Sequence, residues 1–232
     1  MPTRITLALA FALAGTLAAS CATFNEARPL EPGEHEVAVT VGGPLVDVPG
    51  VGDIPMPHVT LEGRHGIAHR LDVGYGVHLL PLVFGVAGAH VGAGLQLPDQ
   101  PNAFVPAVTL AEQLYGFTNL IDARKQRKDF WGMSQSDVTA SWSFLGDQLA
   151  FAGGSLYWVT STAGHGGENV FLAPVAGVQI APGLDWLRLQ LEAKWVAPDI
   201  NEKFAVVDWI APFDQGGIVV DAGIAVKFGG TK

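Results

Sequence analysis

The residues of this chain that could do chemistry are seven histidines, 22 acids, 13 bases and one cysteine among 232 residues. Acid–base or nucleophilic catalysis needs such groups within hydrogen-bond reach of one another, so what matters is which of them the chain can bring together. His65 and His69 stand four apart, the spacing that would put two zinc ligands on one face of a helix. The residues between them read as a tight turn between strands, which makes them turn or surface histidines. Asp47, Asp53, His165, Glu168, Asp199 and Asp208 could line one rim of a barrel, yet they fall on separate loops. There is no G-x-S-x-G elbow, phosphate loop or dinucleotide fingerprint, and Cys21 as the one thiol excludes a disulfide framework or thiolate zinc site. No enzyme activity, metal or cofactor is expected.

Several of the remaining ionisable residues obey a simpler rule: they stand opposite an apolar set that recurs at every second position. Leu187, Leu189, Leu191, Ala193 and Trp195 alternate with Arg188, Gln190, Glu192 and Lys194, which a strand sorts onto two faces and a helix would mix. Leu71, Val73, Tyr75, Val77 and Leu79 likewise oppose Asp72, Gly74, Gly76 and His78. Ala87 to Leu97 opposes its apolar set to His90 and glycines, and Val220, Ala222, Ile224, Val226 and Phe228 oppose Asp221 and Lys227. The alternation predicts ten strands, at 34–42, 56–65, 70–80, 85–97, 103–115, 132–144, 148–161, 168–180, 185–197 and 216–228. The segment from Ala107 to Ile121 also fits helical spacing through Ala107, Leu110, Ala111, Leu114 and Thr118, so a helix is the alternative there. Most of these strands reach the roughly nine to eleven residues that a tilted strand needs to cross a bilayer. Tight connections at 66–69, 98–102, 145–147 and 181–184 interleave with mostly long ones at 43–55, 116–131 and 198–215, as in a membrane barrel with short turns on one side.

Composition agrees with that architecture. Apolar residues make up 49% and charged residues 15% of the chain, against about 25% charged in ordinary soluble domains. The net charge of −9 argues against nucleic acid as a partner, because phosphate binding needs a basic face. The first twenty residues form a secretory signal, with Arg4 ahead of an apolar run from Ile5 to Ala19 that is too short to span a membrane. Leu17-Ala18-Ala19-Ser20-Cys21 resembles a bacterial lipobox, with Leu one place early and Ala18 in the usual Leu position. The resemblance implies that Cys21 is acylated and becomes the mature N-terminus, and Ala22 after it implies sorting to the outer membrane. The expected layout is a signal peptide over 1–20, a periplasmic linker over 21–33 and a barrel over 34–228.

The stretch Leu61-Glu62-Gly63-Arg64-His65-Gly66-Ile67-Ala68-His69-Arg70-Leu71-Asp72-Val73-Gly74-Tyr75-Gly76 resembles the hairpin of small outer-membrane β-barrels of Gram-negative bacteria, among them uncharacterised ones with a lipoprotein signal. The likeness implies an all-β, up-and-down antiparallel transmembrane barrel of about ten strands. The chain departs from that pattern by ending Phe228-Gly229-Gly230-Thr231-Lys232 instead of on an aromatic residue. The competing fold is a soluble lipocalin-like ligand-binding barrel tethered by the same lipid, with its apolar face turned inward.

With the apolar face outward, the lumen receives Glu62, Arg64, Asp72, His78, His90, Asp137, Arg188, Glu192, Lys194, Asp221 and Lys227. At the radius of about ten strands these charges should pair into a polar network that closes the lumen. A narrow conduit for small solutes, helped by the small residues Gly74, Gly76, Gly88, Gly92 and Gly94, is the alternative. Arg124, Lys125, Arg127 and Lys128 cluster in one long loop that could meet lipopolysaccharide phosphates, with outer-membrane lipid the other expected partner. The function expected is that of a lipid-anchored envelope protein, structural or binding. Replacing the thiol by Cys21→Ala should abolish incorporation of labelled fatty acid and leave an uncleaved precursor; normal acylation or processing of that variant would refute the anchor.

Overall fold

The computed structural model describes residues 24–48, 52–55, 58–83, 85–97, 100, 104–120, 130–146, 148–159, 170–201, 210 and 212–230. Eleven strands follow one another: β1 (Glu34–Val48), β2 (Gly52–Pro55), β3 (His58–Ala68), β4 (Leu71–His78), β5 (Val86–Gln96), β6 (Ala107–Asn119), β7 (Phe130–Phe144), β8 (Gln148–Val159), β9 (Val170–Ile180), β10 (Leu187–Asn201) and β11 (Gln215–Gly229). A one-turn helix, α1 (Leu79–Val83), fills the short connection between β4 and β5. Ten strands pair antiparallel with their sequence neighbours, and β1 pairs with β11 from Glu34↔Gly229 to Pro44↔Val219, which closes the sheet into an up-and-down barrel. β2 pairs only with the far end of β1, Val46 opposite Ile54. The long connection expected over 43–55 is therefore largely a hairpin that continues β1 past its neighbours.

The alternation dictates which way each side chain points. Val91, Leu114, Leu172 and Leu191 are each more than half exposed on the outside, while Thr40, Asp72, His78, Asp137 and Asp221 are buried inside. The lipocalin-like alternative is thereby overturned, since a soluble barrel must turn its apolar face inward to keep it from water. The helical alternative over Ala107–Ile121 fails as well. Leu114 pairs with Val91 on one side and Ser134 on the other, and Ala107, Thr109, Ala111, Gln113, Tyr115 and Phe117 are buried at every second position. The 3.6-residue spacing arose because inward Ala107 and Ala111 happen to stand three residues before outward Leu110 and Leu114.

Turn chemistry sets the tight end. Between Ala68 and Leu71 only His69 and Arg70 remain, so His65 stands in β3 while His69 belongs to the two-residue reversal itself. Gly146 lies at φ +79°, beyond the comfortable range of other residues, and lets β7 turn directly into β8. The faces have unequal tolerance for charge. Leu191→Arg and Ala222→Arg, on the outer face, should each destabilise the protein in a bilayer by about 2–4 kcal/mol, with Gln190→Arg milder. Urea unfolding in lipid vesicles would check it, and equal losses from both faces would overturn the assignment.

Candidate functional site

The barrel interior is where the strands deliver their polar side chains, and Arg64 on β3 organises the end with the tight turns. Its guanidinium reaches Glu36 at 3.3 Å, Glu26 at 3.3 Å and Asp72, so three carboxylates share one cation. Glu36 also receives Arg188 at 3.1 Å, and at the rim Lys227 meets Glu34 at 2.9 Å. The planar, five-donor guanidinium suits this sharing, because several oxygens can approach it in its own plane.

Halfway along, Lys194 is fully buried and sits 2.9 Å from Glu192 and 4.0 Å from Asp221. Glu192 and Asp221 face each other across β10 and β11, and Glu62 lies buried on the same inner surface. Asp137 accepts two hydrogen bonds of 3.0 Å from Gln135, whose Oε1 accepts the Tyr115 hydroxyl at 2.9 Å. Nearer the long loops the lining changes to an apolar cluster of Tyr115, Phe117, Met133, Tyr157, Val196 and Val219. Beside it His78 lies between two other imidazoles, its Nδ1 2.9 Å from His58 Nε2 and its Nε2 3.3 Å from His90 Nδ1. Phe117 stacks on Trp131 at 5.6 Å between ring centres.

Of the residues assigned to the lumen from the sequence, Glu62, Asp72, His78, His90, Asp137, Glu192, Lys194 and Asp221 are buried within the barrel, and Arg64, Arg188 and Lys227 are partly so. Two groupings emerge, one around Arg64 and Arg188 and one around Lys194, while His78 and His90 stand apart from both with His58. Cys21, the loop bases Arg124, Lys125, Arg127 and Lys128, and the rim candidates His165, Glu168 and Asp208 lie outside the described residues. Of Asp47, Asp53 and Asp199 only the backbone is described.

One participant was not foreseen from the sequence, the segment just before β1. Of the linker expected over 21–33, residues 24–30 lie within the barrel and residues 31–33 are exposed at its rim. Asn25 N–H donates to Glu192 at 3.0 Å, Asn25 Nδ2 donates to Ser155 at 3.0 Å, and Leu30 N–H donates to Asp72 at 3.0 Å. Ala27 packs with Leu149, Phe151 and Val175. The inward glycines also differ from the conduit expected of them. A Cβ on Gly76 would strike His90, one on Gly88 the Phe117 ring, one on Gly92 Gln113, and one on Gly94 Glu26. The space those residues leave is filled by their neighbours' side chains. Among the described residues, Phe24, Glu26, Glu36, Glu62, Arg188 and Gln190 border a cavity of about 40 Å³, room for about three waters.

The Lys194 grouping generates a stability prediction. Lys194→Met removes the cation and strands Glu192 and Asp221 in the interior, which should cost about 3–5 kcal/mol. Adding Glu192→Leu should recover part of the loss, and equilibrium unfolding of the two variants in vesicles measures both steps.

No family model matches the chain, and no curated protein sequence matches it. Several solved structures are similar to it at low identity. The translocator domain of the autotransporter NalP from Neisseria meningitidis covers 97% of this chain and 98% of its own, at 11% identity and a TM-score of 0.41. The KdgM porin covers 84% of this chain and 99% of its own, at 8% identity and a TM-score of 0.40. Ail, the attachment invasion locus protein of Yersinia pestis, covers 85% and 99% at 12% identity and a TM-score of 0.28.

Proposed function

We propose that the chain is a lipid-anchored β-barrel of the bacterial outer membrane that acts as an envelope structural or binding element with a closed lumen. The observation that carries this reading is the inversion of faces: a closed sheet exposes valine and leucine outside and buries carboxylates, guanidinium and ammonium groups inside. Burying charge while exposing aliphatic side chains is favourable only where hydrocarbon surrounds the wall. Strands of eight to fifteen residues match that thickness. Acylation of Cys21 supplies the anchor. The tight-turn end, where Glu34 and Gly229 meet, faces the periplasm on this reading, and the long loops face outward. The Arg124 to Lys128 cluster would then be positioned to meet lipopolysaccharide phosphates.

The side chains that fill the space beside the inward glycines, and the segment from Phe24 to Leu30 held among them, favour a closed lumen over a solute conduit. Planar-bilayer recording of the purified protein tests the reading. Wild type should be silent, and Arg188→Ala with Glu192→Ala should introduce conductance, since the pair removes the Glu36 partner and the Lys194 and Asn25 partner together. Steady conductance in wild type would overturn the closed lumen.

A further inference from the structure

The outer wall carries one exception to its apolar rule. Alternation sends Ala111, Gln113 and Asp137 inward, so Glu112 on β6 and Ser136 on β7 face outward, directly opposite one another. Ser136 Oγ donates to Glu112 Oε2. Among the described residues, Glu112 is the one carboxylate, ammonium or guanidinium on the outer face of the strands. The wall around it is aliphatic: Val91, Leu114 and Val138 are more than half exposed, and Leu95, Leu110 and Leu156 more than a third.

The pair stands at mid-depth. β7 begins at Phe130 and ends at Phe144, both on the outer face, where aromatic girdles flank an apolar band about 25 Å tall. Ser136 lies between them, six residues from one and eight from the other. Glu112 is five residues from Ala107 and seven from Asn119 at the ends of β6. At about 3.3 Å per residue and a tilt near 40°, that puts it about 13 Å from the nearer end. A glutamate side chain is too short to carry its head to water over that distance, as a long side chain near a strand end can. One serine hydroxyl fills only part of the roughly four positions at which a carboxylate accepts hydrogen bonds.

Whatever completes this pair must present a polar group at the same depth. Acyl chains carry none there. A second copy of the chain does, because copies inserted the same way up hold Glu112 and Ser136 at one height. A two-fold axis along the membrane normal, passing between β6 and β7, sets β6 of one copy against β7 of the other. Glu112 of each copy then faces Ser136 of the other, so acceptor meets donor twice across one seam and the two carboxylates stand on a diagonal. Ser134, on the same face of β7 opposite Leu114, offers a further hydroxyl, and Ala93, opposite Glu112 on β5, is short enough to let the walls approach. Aliphatic side chains gain little by exchanging lipid for one another, so hydrogen bonds and close packing decide such an association.

We propose that Glu112 and Ser136 form the centre of an interface within the membrane between two copies of this chain, related by a two-fold axis between β6 and β7. The inference rests on the membrane placement proposed above and is independent of the lipid anchor.

Photo-crosslinking in intact outer membranes tests it. The photoreactive residue p-benzoylphenylalanine replaces Leu114, beside Glu112, or Ile224 on β11, five strands away on the opposite wall. A second copy with a different epitope tag is expressed alongside. Irradiation should give an adduct carrying both tags at Leu114 and at least about fivefold less at Ile224. Glu112→Leu should lower the Leu114 adduct by at least about tenfold, and Glu112→Gln, whose amide oxygen still accepts, should keep it within about threefold. The Glu112→Leu barrel should stay folded, shown by its migration on unheated gels, since leucine suits a lipid-facing wall. Equal yields at the two positions, an adduct with a different protein in place of the second copy, or an unchanged yield in Glu112→Leu overturns the interface. Release of wild type by alkaline carbonate overturns the membrane placement and the interface together; retention without a two-tag adduct overturns the interface alone.

Discussion

The pairing of β1 with β11 is the constraint on which everything else depends. A sheet that meets its own first strand has no edge strand, so the backbone groups of the wall pair with neighbouring strands instead of lying open along a free edge. Closure also removes choice. With ten strands the radius is set, each residue has only an inside or an outside, and the charges sent inside must find one another within that radius. The Arg64 and Lys194 groupings are the two solutions, one near the rim and one at mid-depth.

The interior is consequently zoned. Charges dominate from the tight-turn rim to mid-depth, where Arg64, Arg188 and Lys194 each meet at least one carboxylate. Aromatic and aliphatic side chains take over toward the long loops, with Phe117, Tyr115 and Met133 packed together inside the barrel. The segment from Phe24 to Leu30 belongs to the charged zone and brings both signs with it: Glu26 goes to Arg64, and Arg28 to Ser141 and Gln100. Its contribution differs in kind from the wall's. A strand places a side chain by periodicity, whereas this segment is placed by what it touches.

That difference explains what was legible in the sequence. Period-2 alternation identified the strands and the inward set from Glu62 to Lys227, because a pleated backbone leaves each side chain two directions and the apolar partners reveal which is which. Boundaries near the long loops were less legible. β1 runs on to Val48 and pairs with β2, although Gly42, Gly43 and Pro44 read as the end of a strand. The luminal segment was illegible for a deeper reason: Phe24-Asn25-Glu26-Ala27-Arg28-Pro29-Leu30 has no period, and its place depends on partners more than a hundred residues away, such as Ser155 and Glu192. The one local trace was on the wall, where Gly66, Gly94 and Gly223 lack side chains at inward positions. Spare room and its future occupant look the same in a sequence until something is seen to fill it.

The row of imidazoles formed by His58, His78 and His90 behaves as one object. Each neutral ring carries a single N–H, and the two contacts join Nε2 of His58 to Nδ1 of His78 and Nε2 of His78 to Nδ1 of His90. If His58 donates, His78 must accept at Nδ1, carry its proton on Nε2 and donate in turn, so all three rings are Nε2–H tautomers. If His90 donates, all three are Nδ1–H tautomers. Mixed arrangements break a bond, so the three rings share a single two-valued state, and a change of tautomer at one end reverses the direction of every donor along the row.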